Sequence, residues 1–199
     1  MLTELIVPGK RKLRNALSEI TNRQPEPGAD VDLQEWMEQQ IAEVMALGGD
    51  FGHSITIETR WSPDLSLYNC YMTALGLPQQ RIKCWRPDRK IQPDTPFVRD
   101  LIEQGGLTAK AVDPKADPDK VSNGDIVVYF NKTGRPRHAG TFRDGLVVSK
   151  WGEGVTHIWR HGLWEVPSDY GNRVRIFEPP TQDQAVAAYI EWAKSKWAF

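Results

Sequence analysis

Between Asp125 and Glu178 the sequence breaks into five short runs, "DIVVYF", "HAGTF", "GLVVSKWG", "VTHIWR" and "RVRIFE". Each is rich in β-branched or aromatic residues and is bounded by Gly, Pro, Asn or Asp, the signature of an antiparallel meander. "RDG" at 143–145 reads as the turn of a hairpin that joins the second run to the third. Alternation along the third run then sends Val147, Ser149 and Trp151 to one face and Val148 and Lys150 to the other.

Helical patterns flank these strands. "KRKLRNALSEITNR" predicts a short basic helix stopped by the turn residues of "QPEPGAD", and Lys10, Arg11, Lys12 and Arg14 are expected on its solvated face. In "VDLQEWMEQQIAEVMALGGD", Leu33, Met37, Ile41, Val44 and Met45 recur near helical spacing, with Gly48 and Gly49 as the expected stop. "HSITIETRW" alternates like a strand. "SPDLSLYNCYMTALGLP" predicts a short helix capped by Ser66 or Asn69, "TPFVRDLIEQGG" another, and "DQAVAAYIEWAKSKWAF" a last one. Helices first and strands after them predict an α+β fold, with an N-terminal helical region over 1–55 and the main domain over 56–199.

Several functions are disfavoured by composition. A formal net charge of -1 gives no overall field to draw the chain to nucleic acid or an acidic membrane. No apolar run nears the roughly 18 residues that span a bilayer, and the first residues lack the order of a signal peptide. A cytoplasmic protein, or one exported without a classical signal peptide, is the expectation. Two cysteines, Cys70 and Cys84, do not make a disulfide framework.

One of these thiols stands where chemistry is expected. Cys70 falls in the first turn of its predicted helix, where free N–H groups and the helix dipole should stabilise a thiolate and lower the thiol pKa. His138, at the mouth of the second β-run, is the natural proton acceptor. Each alone is ordinary: a small buried hydrophobe and a structural histidine.

In order, the motifs "NCYMTALG", "NGDIVVYF" and "RHAGTF" followed by "RDG" and "LVVSKWG" resemble the NlpC- and CHAP-type modules of the papain-like cysteine peptidases and amidases. The resemblance covers Cys70 to Phe177. It implies a papain-like domain over 56–199, its Cys-bearing helix packed on a small antiparallel sheet and followed by a C-terminal helix. It also implies Cys70 as nucleophile, His138 as base, a peptide-like or amide substrate, and no cofactor. "N-C-Y" departs from the family's "D-C-S" around the nucleophile. The family's third polar residue, which orients the imidazole, comes from the next strand, where Lys150 cannot accept an N–H. Ser149 ranks first for that role, His157 second and Glu153 third. The rival reading is an inactive papain-like module that binds a protein or peptide partner.

Other features carry less. His157 and His161, four apart in "THIWRHG", would suit zinc on a helix, but the run reads as a strand and no Cys-x-x-Cys or His-Glu-x-x-His accompanies it, so no metal is expected. Cys84 lies between basic residues without a base pattern and reads as a structural thiol.

Overall fold

A computed structural model describes residues 3–4, 8–23, 32–62, 64–65, 68–77, 93–112, 118–152 and 156–196. Its centre is the hairpin of β4 (Pro136–Arg143) and β5 (Leu146–Lys150). Arg143 pairs with Leu146, and the two residues between them, Asp144 and Gly145, take positive φ of 49° and 80°. That two-residue turn matches the right-handed twist of the strands it joins, which is why "DG" works there.

Five more strands extend the sheet: β1 (Thr3–Glu4), β2 (Thr56–Thr59), β3 (Ile126–Phe130), β6 (Ile158–His161) and β7 (Arg173–Phe177). The order is β1-β7-β3-β4-β5-β6-β2, with every neighbouring pair antiparallel. Strands β3 to β6 form the expected meander. β7 returns to the free edge of β3, and two early strands close the borders, β1 on β7 and β2 on β6.

All five residues of β3 are buried, so the centre of the sheet is covered on both faces. Ile126, Val128 and Phe130 share a core with Ala139 and with α3 (Cys70–Ala74), α4 (Thr95–Glu103) and α5 (Gln182–Lys196). Val127 and Tyr129 share the other core with Val147, Trp151 and Trp159 and with α1 (Pro8–Thr21) and α2 (Leu33–Phe51). The fold is α+β. Leu13, Leu17, Ile20 and Val44 pack in the same core as the strands, so residues of the region 1–55 help to build the central sheet's packing.

Three sequence expectations are corrected. Helix α2 runs through Gly48 and Gly49 to Phe51 and ends at Gly52, whose φ of 57° and N–H to Gly48 O (3.1 Å) make it the terminator. A glycine can continue a helix; what stops one is the left-handed turn after it. β6 begins at Ile158, leaving Thr156 and His157 ahead of the strand. Arg14 is not on a solvated face: it is 3 % exposed, with Nε donating to Val166 O (3.1 Å) and Nη2 donating to Pro167 O (3.4 Å) and to Gly171 O. A basic run has no periodic apolar signal to show which of its members turns inward.

Candidate active site

Asn69 makes the start of α3. Its Oδ1 accepts from Met72 N (2.9 Å) and its Nδ2 donates to Pro93 O (2.6 Å), which ties the cap to the segment ahead of α4. Cys70 follows as the first helical residue and is partly buried against the α3–α4–α5 core. The helix lies across β4 and β5. The sulfur meets the backbone N–H of Ala139, the residue after His138, and lies within the field of the Lys150 ammonium.

The thiol is not activated at rest. Burial pushes its pKa up to about 11, and the opposing pull of the Ala139 N–H, the Lys150 charge and the N–H groups of Tyr71 and Cys70 only partly offsets it. This corrects the expectation of a lowered pKa: desolvation of a thiolate outweighs the few dipoles that a five-residue helix can aim at it.

His138 is 1 % exposed. It pairs with Tyr129 across the β3–β4 ladder, and its ring stacks on Tyr170 at 3.9 Å between centroids and 14° between planes. Burial and then the neighbouring His161 push its pKa well below the ordinary imidazole value. Its Nε2 is buried and has no partner among the described residues. No hydrogen bond joins Cys70 to His138 among the described residues. Cys70 packs in the core that Ala139 joins, whereas His138 pairs with Tyr129 of the opposite core; what links them is Tyr170, which stacks on the imidazole and lies in the field of the thiol. The Tyr170 hydroxyl accepts from Gly152 N (2.7 Å), which fixes the stacked ring.

Neither residue ranked first or second as orienter bonds to His138. The Ser149 hydroxyl is paired with His161 Nε2 (2.8 Å) and accepts from Trp151 Nε1 (3.1 Å). His161 Nδ1 lies 2.8 Å from Gly162 O, which can only accept, so Nδ1 carries the proton and Nε2 takes the Ser149 O–H. Both residues are 0 % exposed. His157 turns to another part of the molecule, where its Nδ1 accepts from Trp61 N (2.9 Å). Glu153 and Cys84 lie outside the described residues.

The sequence reading missed two residues around His138. Tyr170, in the 3-10 turn Ser168–Tyr170, is marked in sequence only by the "SDYG" turn pattern and gives no sign of what its ring touches. His161 drew notice as a spacing to His157. A register placing it opposite Val147 would have put it on the Ser149 face instead.

Lys150 is also 0 % exposed, and its Nζ donates to Thr156 Oγ1 (2.7 Å) and Gly152 O (3.5 Å). It therefore sets a held positive charge on the thiol's side of the site. Among the described residues no group of three His, Cys, Asp or Glu side chains could hold a metal ion. No described helix is long and apolar enough to cross a membrane. No family model matches the chain, and no curated protein or solved structure matches it either.

Proposed function

We propose that the chain is a papain-like, thiol-dependent hydrolase that cleaves an amide bond in a peptide, isopeptide or cell-wall peptide. The observation that carries this reading is the seat of the Cys70 sulfur against the N–H of Ala139, one residue from His138. Acyl transfer through sulfur requires a helix-borne thiol within reach of a strand-borne imidazole, and Tyr170, stacked on His138 and in the field of Cys70, is the group that links the two here.

The His138 ring keeps a nitrogen without a partner among the described residues, so it has a lone pair free to take a proton. The resting pair is neutral, thiol and imidazole, because burial opposes charge on both. The His138 imidazole takes the Cys70 proton as the sulfur attacks the substrate carbonyl, so charge separates in the transition state and not before it. The developing oxyanion is met by the N–H of Cys70, and the Lys150 ammonium offsets negative charge nearby. The imidazolium then protonates the leaving amine, and water releases the acyl group from sulfur.

A second reading, a papain-like module that binds a peptide or protein without chemistry, is favoured by the same raised thiol pKa and by the unpartnered Nε2. Alkylation of Cys70 by iodoacetamide, followed by intact-mass measurement from pH 6 to 11, separates the two. A hydrolase should show a reaction at neutral pH that His138→Ala removes, together with peptide-amide turnover lost in Cys70→Ala. A rate that simply climbs with a titration near 11, identical in His138→Ala, would leave the binding module standing.

A further inference from the structure

A cleft of about 1020 Å³ opens between α1, the β3–β4 loop and the 3-10 turn Ser168–Tyr170. Arg11, Lys12, Arg14 and Lys132 line it with Asn172, and Asp169 is its one carboxylate. Arg11, Lys12 and Lys132 are exposed and form no ion pair among the described residues.

Two built-in features set this lining apart from a loose basic surface. Arg14, buried to 3 % exposure, spends Nε and Nη2 on the carbonyls of Val166, Pro167 and Gly171, and Nη1 has no partner among the described residues. Its guanidinium is thereby locked in place with one donor in hand, and Asp169, which Asn22 Nδ2 already engages, is the carboxylate nearest it. Lys132 is carried by a stiff loop: Asn131 Oδ1 accepts from Thr133 N (3.0 Å), Thr133 Oγ1 (2.8 Å) and Arg135 N (2.9 Å).

We propose that this cleft binds a small molecule bearing a phosphate or diphosphate group, held by Arg14 Nη1 and the charges of Arg11, Lys12 and Lys132. The lining sets four cationic side chains against one carboxylate, a balance that selects a cluster of anionic oxygens over a neutral or cationic ligand. A pocket closed by the 3-10 turn on one side suits a compact anion better than a continuous nucleic-acid strand. The inference uses neither Cys70 nor His138 and stands apart from the thiol chemistry.

Isothermal titration of the full chain with inorganic pyrophosphate, inorganic phosphate and a single-stranded oligonucleotide tests it. Pyrophosphate should bind more tightly than phosphate. Lys12→Ala and Lys132→Ala should each weaken it roughly tenfold, the loss expected of one charge-assisted contact, with thermal unfolding unchanged because both side chains are exposed. Asp169→Asn should strengthen binding. The proposal is overturned if pyrophosphate fails to bind at millimolar concentration or binds both lysine variants as well as the parent. It is equally overturned if the oligonucleotide binds more tightly than pyrophosphate.

Discussion

The two layers on either face of the sheet are stabilised in different ways. The layer of α3, α4 and α5 is dry and aromatic: Phe97 meets Tyr189 edge-on at 5.2 Å and Trp192 at 5.4 Å, among Met72, Leu101 and Phe177. The layer of α1 and α2 is threaded with polar groups. His138, Ser149, His161, Arg14 and Glu165 are all buried there or at its margin, beside Trp151, Trp159 and Tyr129. Burial of apolar area is indifferent to pH, whereas a buried imidazole is stable only while it stays neutral. One protein therefore carries a half that fails by cavity and a half that fails by protonation.

The largest expected effect belongs to the dry layer. Phe97→Ala removes a ring that is 1 % exposed and wedged between two others, at a cost of about 3–5 kcal/mol. Urea unfolding should show that loss equally at pH 7.5 and pH 5.5. A loss that changed strongly with pH would mean that the two layers do not fail independently.

Acid should strike the other layer. Burial pushes His161 down to about 4, and His138 and His157 also lie below the ordinary 6.5. The unfolded chain takes up protons below pH 6.5 that the folded chain refuses, so this stability is present above 6.5 and lost as pH falls toward 4. His161 alone accounts for on the order of 3 kcal/mol across that window. Glu165 extends the loss to lower pH. Burial pushes its carboxyl up, but bonds from Lys10, Ser54 and Gly162 N hold it at about 2, so its contribution fades below 4.5. Unfolding midpoints measured stepwise from pH 7.5 to 4 should fall steadily; a flat profile would refute the neutral-imidazole account.

Ser149→Ala is a smaller and sharper probe. It strands His161 Nε2 and Trp151 Nε1 inside the protein, costing about 1–3 kcal/mol. If Ser149 serves only His161, the reactivity of Cys70 toward iodoacetamide should not change. A change in thiol reactivity would restore Ser149 as the partner of His138.

The meander, its Asp-Gly hairpin and the helices were legible because each rests on a local signal: period-two alternation, turn residues, or a capping side chain such as Asn69. Cys70 at a helix start was legible for the same reason. Its raised pKa was not, since desolvation depends on β4 and β5 lying against α3, contacts with no local trace in "NCYMTALG". Ser149 was placed correctly on its face, yet its partner comes from β6, and only the register of that strand decides whether Ser149 meets His138 or His161. Arg14 was misread because its acceptors, the carbonyls of Val166, Pro167 and Gly171, lie more than 150 positions away.

That last separation bears on how the chain is made. Arg14 leaves the ribosome 152 residues ahead of Val166, and Ser18, paired with Ser168 at 2.9 Å, leads it by 150. At about 5–20 residues per second, the early helix waits roughly 8–30 s for the segment that holds it. An isolated helix of 14 residues is marginal in water. Its interim companion is α2, reached through Gln40 Nε2 to Ile20 O (3.4 Å) and the Arg23–Glu43 pair. The nascent chain thus carries Leu13 and Leu17 half-sheltered until residues 166–171 have been made, and a slow codon stretch before residue 166 would lengthen the interval in which chaperones can seize them.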